Sequence, residues 1–195
     1  MMKSIFLSMV ATALFVCAGW AQFPNGNQIS SDNDKKGASS DLRFDPDATV
    51  VTHHTATING KVIPYKAVAG TMPVWDEDGK TIAGLFFVYY ERTDIKDKST
   101  RPITISFNGG PGSASVWMHI GYTGPVLLNI DDEGYPVQPY GFKENPYSIL
   151  DVTDIVYVDP VNTGYSRITR KDVPKEKFFG INADIKYLAG WINTF

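Results

Sequence analysis

The chain has one cysteine in 195 residues, so no intrachain disulfide can form and a cysteine-rich zinc site is excluded. It has three histidines. His53 and His54 are neighbours on an expected strand, where they point to opposite faces and cannot chelate one ion; His119 could line a cleft, with packing the plainer role. No excess of one charge exists: 18 Lys and Arg stand against 21 Asp and Glu, a net −3, which gives no global field to draw nucleic acid or an anionic membrane. Nor is there a hydrophobic run long enough for a bilayer. The one such stretch, Ile5 to Val16, is too short for about 30 Å of hydrocarbon. What the chain has in quantity is apolar surface, 43% hydrophobic and 13% aromatic residues, which excludes disorder throughout.

The short apolar run has a purpose of its own. Lys3 precedes it, and Gly19-Trp20-Ala21 follows with small residues at the two positions a signal peptidase reads. Residues 1–21 are therefore expected to be a signal peptide, which makes the protein secreted or periplasmic and removes Cys17, its only thiol. Residues 22–47 are polar, without a period, and read as a linker.

From residue 48 the pattern is that of strands. Val50-Val51-Thr52 and Thr55-Ala56-Thr57-Ile58 lead into Asn59-Gly60, a two-residue hairpin signal. Lys61–Ala69 is the expected return strand, and Thr81–Arg92 the next, after the turn Asp76–Gly79. That turn and Asp131–Gly134 lack the alternating ligands of a calcium loop and read as hairpin turns. Two short apolar runs follow, Ile103–Phe107 and Asp154–Asp159, with a short helix between them around Ala114–Ile120. A closing helix is expected to bury Ile181, Ile185, Leu188, Ala189, Ile192 and Phe195 on one face, capped by Asn182. It carries no stop signal before Phe195, which suggests the amino-terminal part of a longer protein. The class is α/β, a sheet covered on both faces.

The stretch with chemistry is Asn108-Gly109-Gly110-Pro111-Gly112-Ser113-Ala114-Ser115. Glycines directly after a strand let the backbone turn sharply and aim N–H groups into a cleft, where they hold a phosphate, a carboxylate or an oxyanion. A phosphate loop would need Gly-Lys-Ser/Thr, and a dinucleotide loop a third Gly or Ala where Ser115 stands. An oxyanion loop after the third strand of an α/β-hydrolase suits the residues better.

Phe107–Ser113 resembles the Asn-Gly-Gly-Pro-Gly loop of the secreted serine carboxypeptidases. Asn145-Pro146-Tyr147-Ser148, the run Asp154–Asp159 and Thr163-Gly164-Tyr165-Ser166 resemble that family's second block. The meander Thr52–Arg92 is similar to the amino-terminal hairpins of its bacterial members, and the helix around Ala183–Ile185 to the one before the nucleophile. The resemblance runs from about residue 50 onward. It implies an incomplete α/β-hydrolase fold over 48–195, with the Gly110 N–H as an oxyanion donor. It implies that Asn108 and the Gly109 N–H bind a substrate's terminal carboxylate, that peptide C-termini are the substrate, and that no cofactor is used. The sequence departs from the pattern at three positions. Ser106 stands where the family often has Trp, Tyr122 where it has Glu, and Asn162 where it has Gly.

No Gly-x-Ser-x-Gly occurs around any serine of the 195 residues, so no nucleophile elbow is present. The triad is expected downstream, and these residues alone are expected to be inactive. Two alternatives stay open: an esterase or acyltransferase of the same fold, and a β-rich binding module.

Overall fold

A computed structural model describes residues 44–109 and 112–195. The expected signal peptide, most of the expected linker and Gly110 lie outside the described residues. Strands β1 (Thr49–Ile58), β2 (Lys61–Trp75) and β3 (Thr81–Arg92) form the antiparallel meander. β4 (Ile103–Ser106) follows, then a three-residue helix α1 (Val116–Met118) and a small hairpin of β5 (Val126–Leu128) and β6 (Phe142–Glu144). β7 (Asp154–Val158), β8 (Arg167–Ile168) and helix α2 (Ile181–Thr194) complete the chain.

The first hairpin turns where expected. Asn59 and Gly60 both have positive φ, 49° and 72°, the conformation that matches the twist of the flanking strands. The return strand runs to Trp75, six residues past the expected Ala69. β1 pairs only as far as Gly70 of β2, so Pro73 sits where β2 has become an edge strand and tolerates the missing N–H. Both acidic turns are built the same way. Asp76 Oδ1 accepts from the N–H groups of Asp78 and Lys80, and Asp131 Oδ1 from those of Glu133 and Tyr135. The carboxylates serve their own backbone, as in Asx turns.

The main sheet has the order β1-β2-β3-β7-β4, with β8 also on β3. β7 lies antiparallel to β3 and parallel to β4. All five residues of β7 are buried, as in a central strand with both faces covered. Its alternation divides the core. Ile155 and Tyr157 pack with Ile58, Ile63, Tyr65, Tyr90 and Leu150 on one face. Val156 and Val158 pack with Leu85, Phe87, Phe178, Tyr187 and Trp191 on the other. On its far side β4 has no strand partner among the described residues, and Ile103 is 47% exposed.

Helix α2 bears out part of the expected face, since Leu188 and Ile192 pack against the core, and corrects the rest. Ile181 and Ile185 are 81% and 61% exposed, while Tyr187 and Trp191 are the buried residues. Aliphatic periodicity alone turned the expected face away from these two rings. A tryptophan and a tyrosine four residues apart offer more area to bury than two isoleucines, and they set the rotation of the helix. The Trp191 ring meets Phe87 edge-on at 5.8 Å and stacks on Phe195 at 5.2 Å, and Tyr187 Oη accepts from the Val161 N–H. The helix begins at Ile181 after Gly180, so Asn182 lies inside it rather than capping it.

Candidate active site

The site is built at the C-terminal ends of the parallel strands β4 and β7, where open α/β sheets place their ligands. β4 ends at Ser106, opposite Tyr157. The glycine loop begins there, and Asn108 turns its side chain inward, its Nδ2 donating to Ser113 Oγ at 2.6 Å. Asn108 is half-buried and Gly109 is exposed. A Cβ on Gly109 would meet nothing within 4 Å, so the space beside its Cα is open. The loop ends at Ser115, whose Oγ–H donates to the Val158 carbonyl and whose N–H donates to Asp159 Oδ1 at 2.8 Å.

The second segment of the site follows β7. Asp159 Oδ2 accepts from the Tyr165 N–H at 3.2 Å. Ser166 Oγ donates to the Asp159 carbonyl and accepts from the Phe86 N–H. Asn162 and Gly164 have φ of 61° and 45°. Asn tolerates the left-handed region better than other side chains, which explains how it stands where the family pattern has glycine. Ser166 is fully buried and engaged in holding the turn, so it is not available for chemistry.

The Asn-Pro-aromatic-Ser segment is an architectural clamp. Asn145 is 1% exposed; its Nδ2 donates to the carbonyls of Tyr122 and Gly124, and its Oδ1 accepts from the Tyr147 N–H. Ser148 Oγ donates to the Thr123 carbonyl. Together they hold the end of a wide turn, His119–Thr123, closed by the Gly124 N–H to the His119 carbonyl. Wide turns of this kind recur at functional sites. Tyr122 is 66% exposed and presents a phenol where the family pattern has a carboxyl.

His119 is a packing residue. Its ring stacks on Tyr157 at 4.6 Å, and Nε2 is hydrogen-bonded to Tyr90 Oη at 2.6 Å. Burial lowers its pKa from 6.5 to about 4 and raises that of Tyr90, so the pair is neutral at pH 7. As the pH falls below 6.5 the unfolded chain takes up the proton first, and stability is lost down to about pH 4, with no effect above 6.5. The limiting slope is about 1.4 kcal/mol per pH unit. His119→Gln keeps a hydrogen-bonding group and does not titrate. Denaturant melts at pH 4.5 and 7 are expected to show a smaller acid loss in the variant than in the parent; equal losses would remove His119 as the cause. His53 and His54 are exposed on β1, opposite Lys66 and Tyr65.

A family model described as serine carboxypeptidase matches residues 58–195, which include both segments of the site. The chain belongs to the serine carboxypeptidase family. It is 34% identical over 85 residues to serine carboxypeptidase-like 36 of Arabidopsis thaliana, covering 43% of this chain and 16% of that protein. It is 30% identical over 125 residues to serine-type carboxypeptidase F of Aspergillus niger, covering 56% and 21%. Among solved structures, Kex1ΔP, a prohormone-processing carboxypeptidase from Saccharomyces cerevisiae, overlaps with a TM-score of 0.48 at 25% identity, covering 66% of this chain and 28% of that one. The chain thus spans a quarter or less of the length of these two relatives. Its mixed sheet, with β7 between the meander and parallel β4, is part of the α/β-hydrolase fold of a serine carboxypeptidase.

Proposed function

We propose that the complete protein is a serine carboxypeptidase that removes C-terminal residues from peptides through an acyl-enzyme. The observation that carries this reading is the glycine loop, which leaves a parallel strand and returns onto its neighbour with open space beside Gly109. In this reading the Gly110 N–H holds the oxyanion, worth roughly 3–4 kcal/mol of barrier. Asn108 Nδ2 has a second N–H beyond the one given to Ser113, and it joins the Gly109 N–H in binding the substrate's carboxylate. The nucleophile is a serine in a Gly-x-Ser-x-Gly elbow further along the reading frame. Residues 1–21 direct export, so the enzyme works outside the cytoplasm on peptide ends. Among the described residues no helix is long and apolar enough to cross a membrane.

Exposed Tyr122 favours a second reading, ester hydrolysis or acyl transfer on the same fold, because the carboxyl of the family pattern is missing there. One assay separates the two. The product of the complete reading frame, given an N-blocked dipeptide and its C-terminal amide and ester, is expected to cleave the free acid fastest. Cleavage of the ester alone would select the second reading, and cleavage of none would overturn both.

A further inference from the structure

The loop 107–114 is anchored at both its ends to the end of β7. It leaves β4 where Ser106 pairs with Tyr157, and it returns at Ser115, which bonds to Val158 and Asp159. Three consecutive residues of one strand end therefore fix where the loop starts and stops. The last of the three is a carboxylate only 6% exposed. Among the described residues no cation lies within ion-pair distance of it. Its partners are two backbone N–H groups, from Ser115 at the loop's end and from Tyr165 in the turn after β7. A buried carboxylate held by such donors is strongly oriented, and it orients them in return. The geometry around it is also selected. A Cβ on Gly164 would lie 1.8 Å from Asp159 Oδ2 and 3.1 Å from Ala114 Cβ, so the glycine leaves room for the carboxylate and for the loop.

We infer that Asp159 is a positioning residue for the oxyanion loop, setting the register of the loop's N–H groups through Ser115 rather than touching the substrate. This rests on the function proposed above. A carboxylate suits the task because both of its oxygens accept. Asn offers one acceptor, and its amide would set N–H against N–H at the other position. A loop displaced by a few tenths of an ångström loses transition-state stabilisation while ground-state binding at Asn108 persists.

The test uses the product of the complete reading frame. In the parent, the amides of Ser115 and Tyr165 are expected to be protected from hydrogen exchange; free exchange at both would overturn the brace without any variant. Asp159→Asn is expected to release both amides. It should lower kcat on a blocked dipeptide at least tenfold with KM within threefold, and weaken a peptide boronate in proportion to kcat/KM. A folded variant with unchanged kcat would overturn the inference. A fall in kcat matched by the fraction of unfolded protein would reduce Asp159 to a stability residue and overturn it as well. An inactive parent would sink the function reading itself and is thereby distinguished from failure of the inference alone.

Discussion

Replacing Arg101 with methionine is expected to remove about 3–5 kcal/mol of folding stability. Arg101 precedes β4 and Asp154 opens β7, and their side chains are 6% and 8% exposed with Nε 2.6 Å from Oδ1. Arg101 Nη2 also donates to the Leu150 carbonyl, and the Arg92 N–H donates to Asp154 Oδ1. Methionine fills much of the volume but leaves Asp154 charged, buried and answered by one N–H. Against a typical net stability of about 5–15 kcal/mol that is a large fraction. Arg101→Lys restores the charge without the fork that reaches Leu150, so it recovers only part. The double variant Arg101→Met with Asp154→Leu recovers most of the loss, because no unpaired charge remains. Urea titrations of the four proteins check this. A loss under 1 kcal/mol in Arg101→Met would mean that Asp154 is solvated or paired in another way. The pair lies at the N-terminal ends of the strands, so a folded remnant should keep the geometry of the opposite end.

Gly164→Ala is the second large effect, and it reaches the site. The residue has φ of 45°, where a side chain costs about 1–2 kcal/mol. The added methyl would also lie 1.8 Å from Asp159 Oδ2 and 2.6 Å from its Cγ. The carboxylate has to leave its two N–H partners, each charge-assisted bond being worth about 1.5–3 kcal/mol. The expected total is roughly 4–8 kcal/mol, if the variant folds at all. Asn162→Gly, two residues earlier at φ 61°, is expected to change stability by less than 1 kcal/mol, since it relieves a left-handed side chain and removes little else. Thermal melts of the pair check the contrast, and a loss of no more than about 1–2 kcal/mol in Gly164→Ala would show that the conformation, not the contact with Asp159, sets the requirement.

What the sequence made legible was local. The Asn59-Gly60 turn, the meander, the continuous apolar β7 and the glycine loop after β4 all follow from patterns within a dozen residues. The pairs that secure the site were not legible, because they join distant positions. Arg101 and Asp154 are 53 residues apart, and Ser115 and Asp159 are 44 apart. No periodicity brings either pair together. The family's second block was legible as a motif, yet its residues act as ties rather than as reacting groups. Asn145 and Ser148 are spent on the carbonyls of residues 122–124, and Ser166 on Asp159. Position 164 carried a signal that could have been read. A glycine two residues after an asparagine, in a tight turn beyond a buried strand, marks left-handed backbone and a close neighbour. In helix α2 the aliphatic period points to Leu188 and Ile192 but not to the two largest rings, Tyr187 and Trp191, which set the rotation.

The central claim is that the loop at 108–115 serves acyl transfer at a serine beyond residue 195. Mass spectrometry after treating the complete gene product with a fluorophosphonate tests it most directly, because that reagent phosphonylates only an activated serine facing a working oxyanion hole. The account predicts one adduct per chain, on the serine of a Gly-x-Ser-x-Gly elbow downstream of Phe195, lost when that serine becomes alanine. No adduct, or an adduct on Ser113 or Ser166, would contradict it.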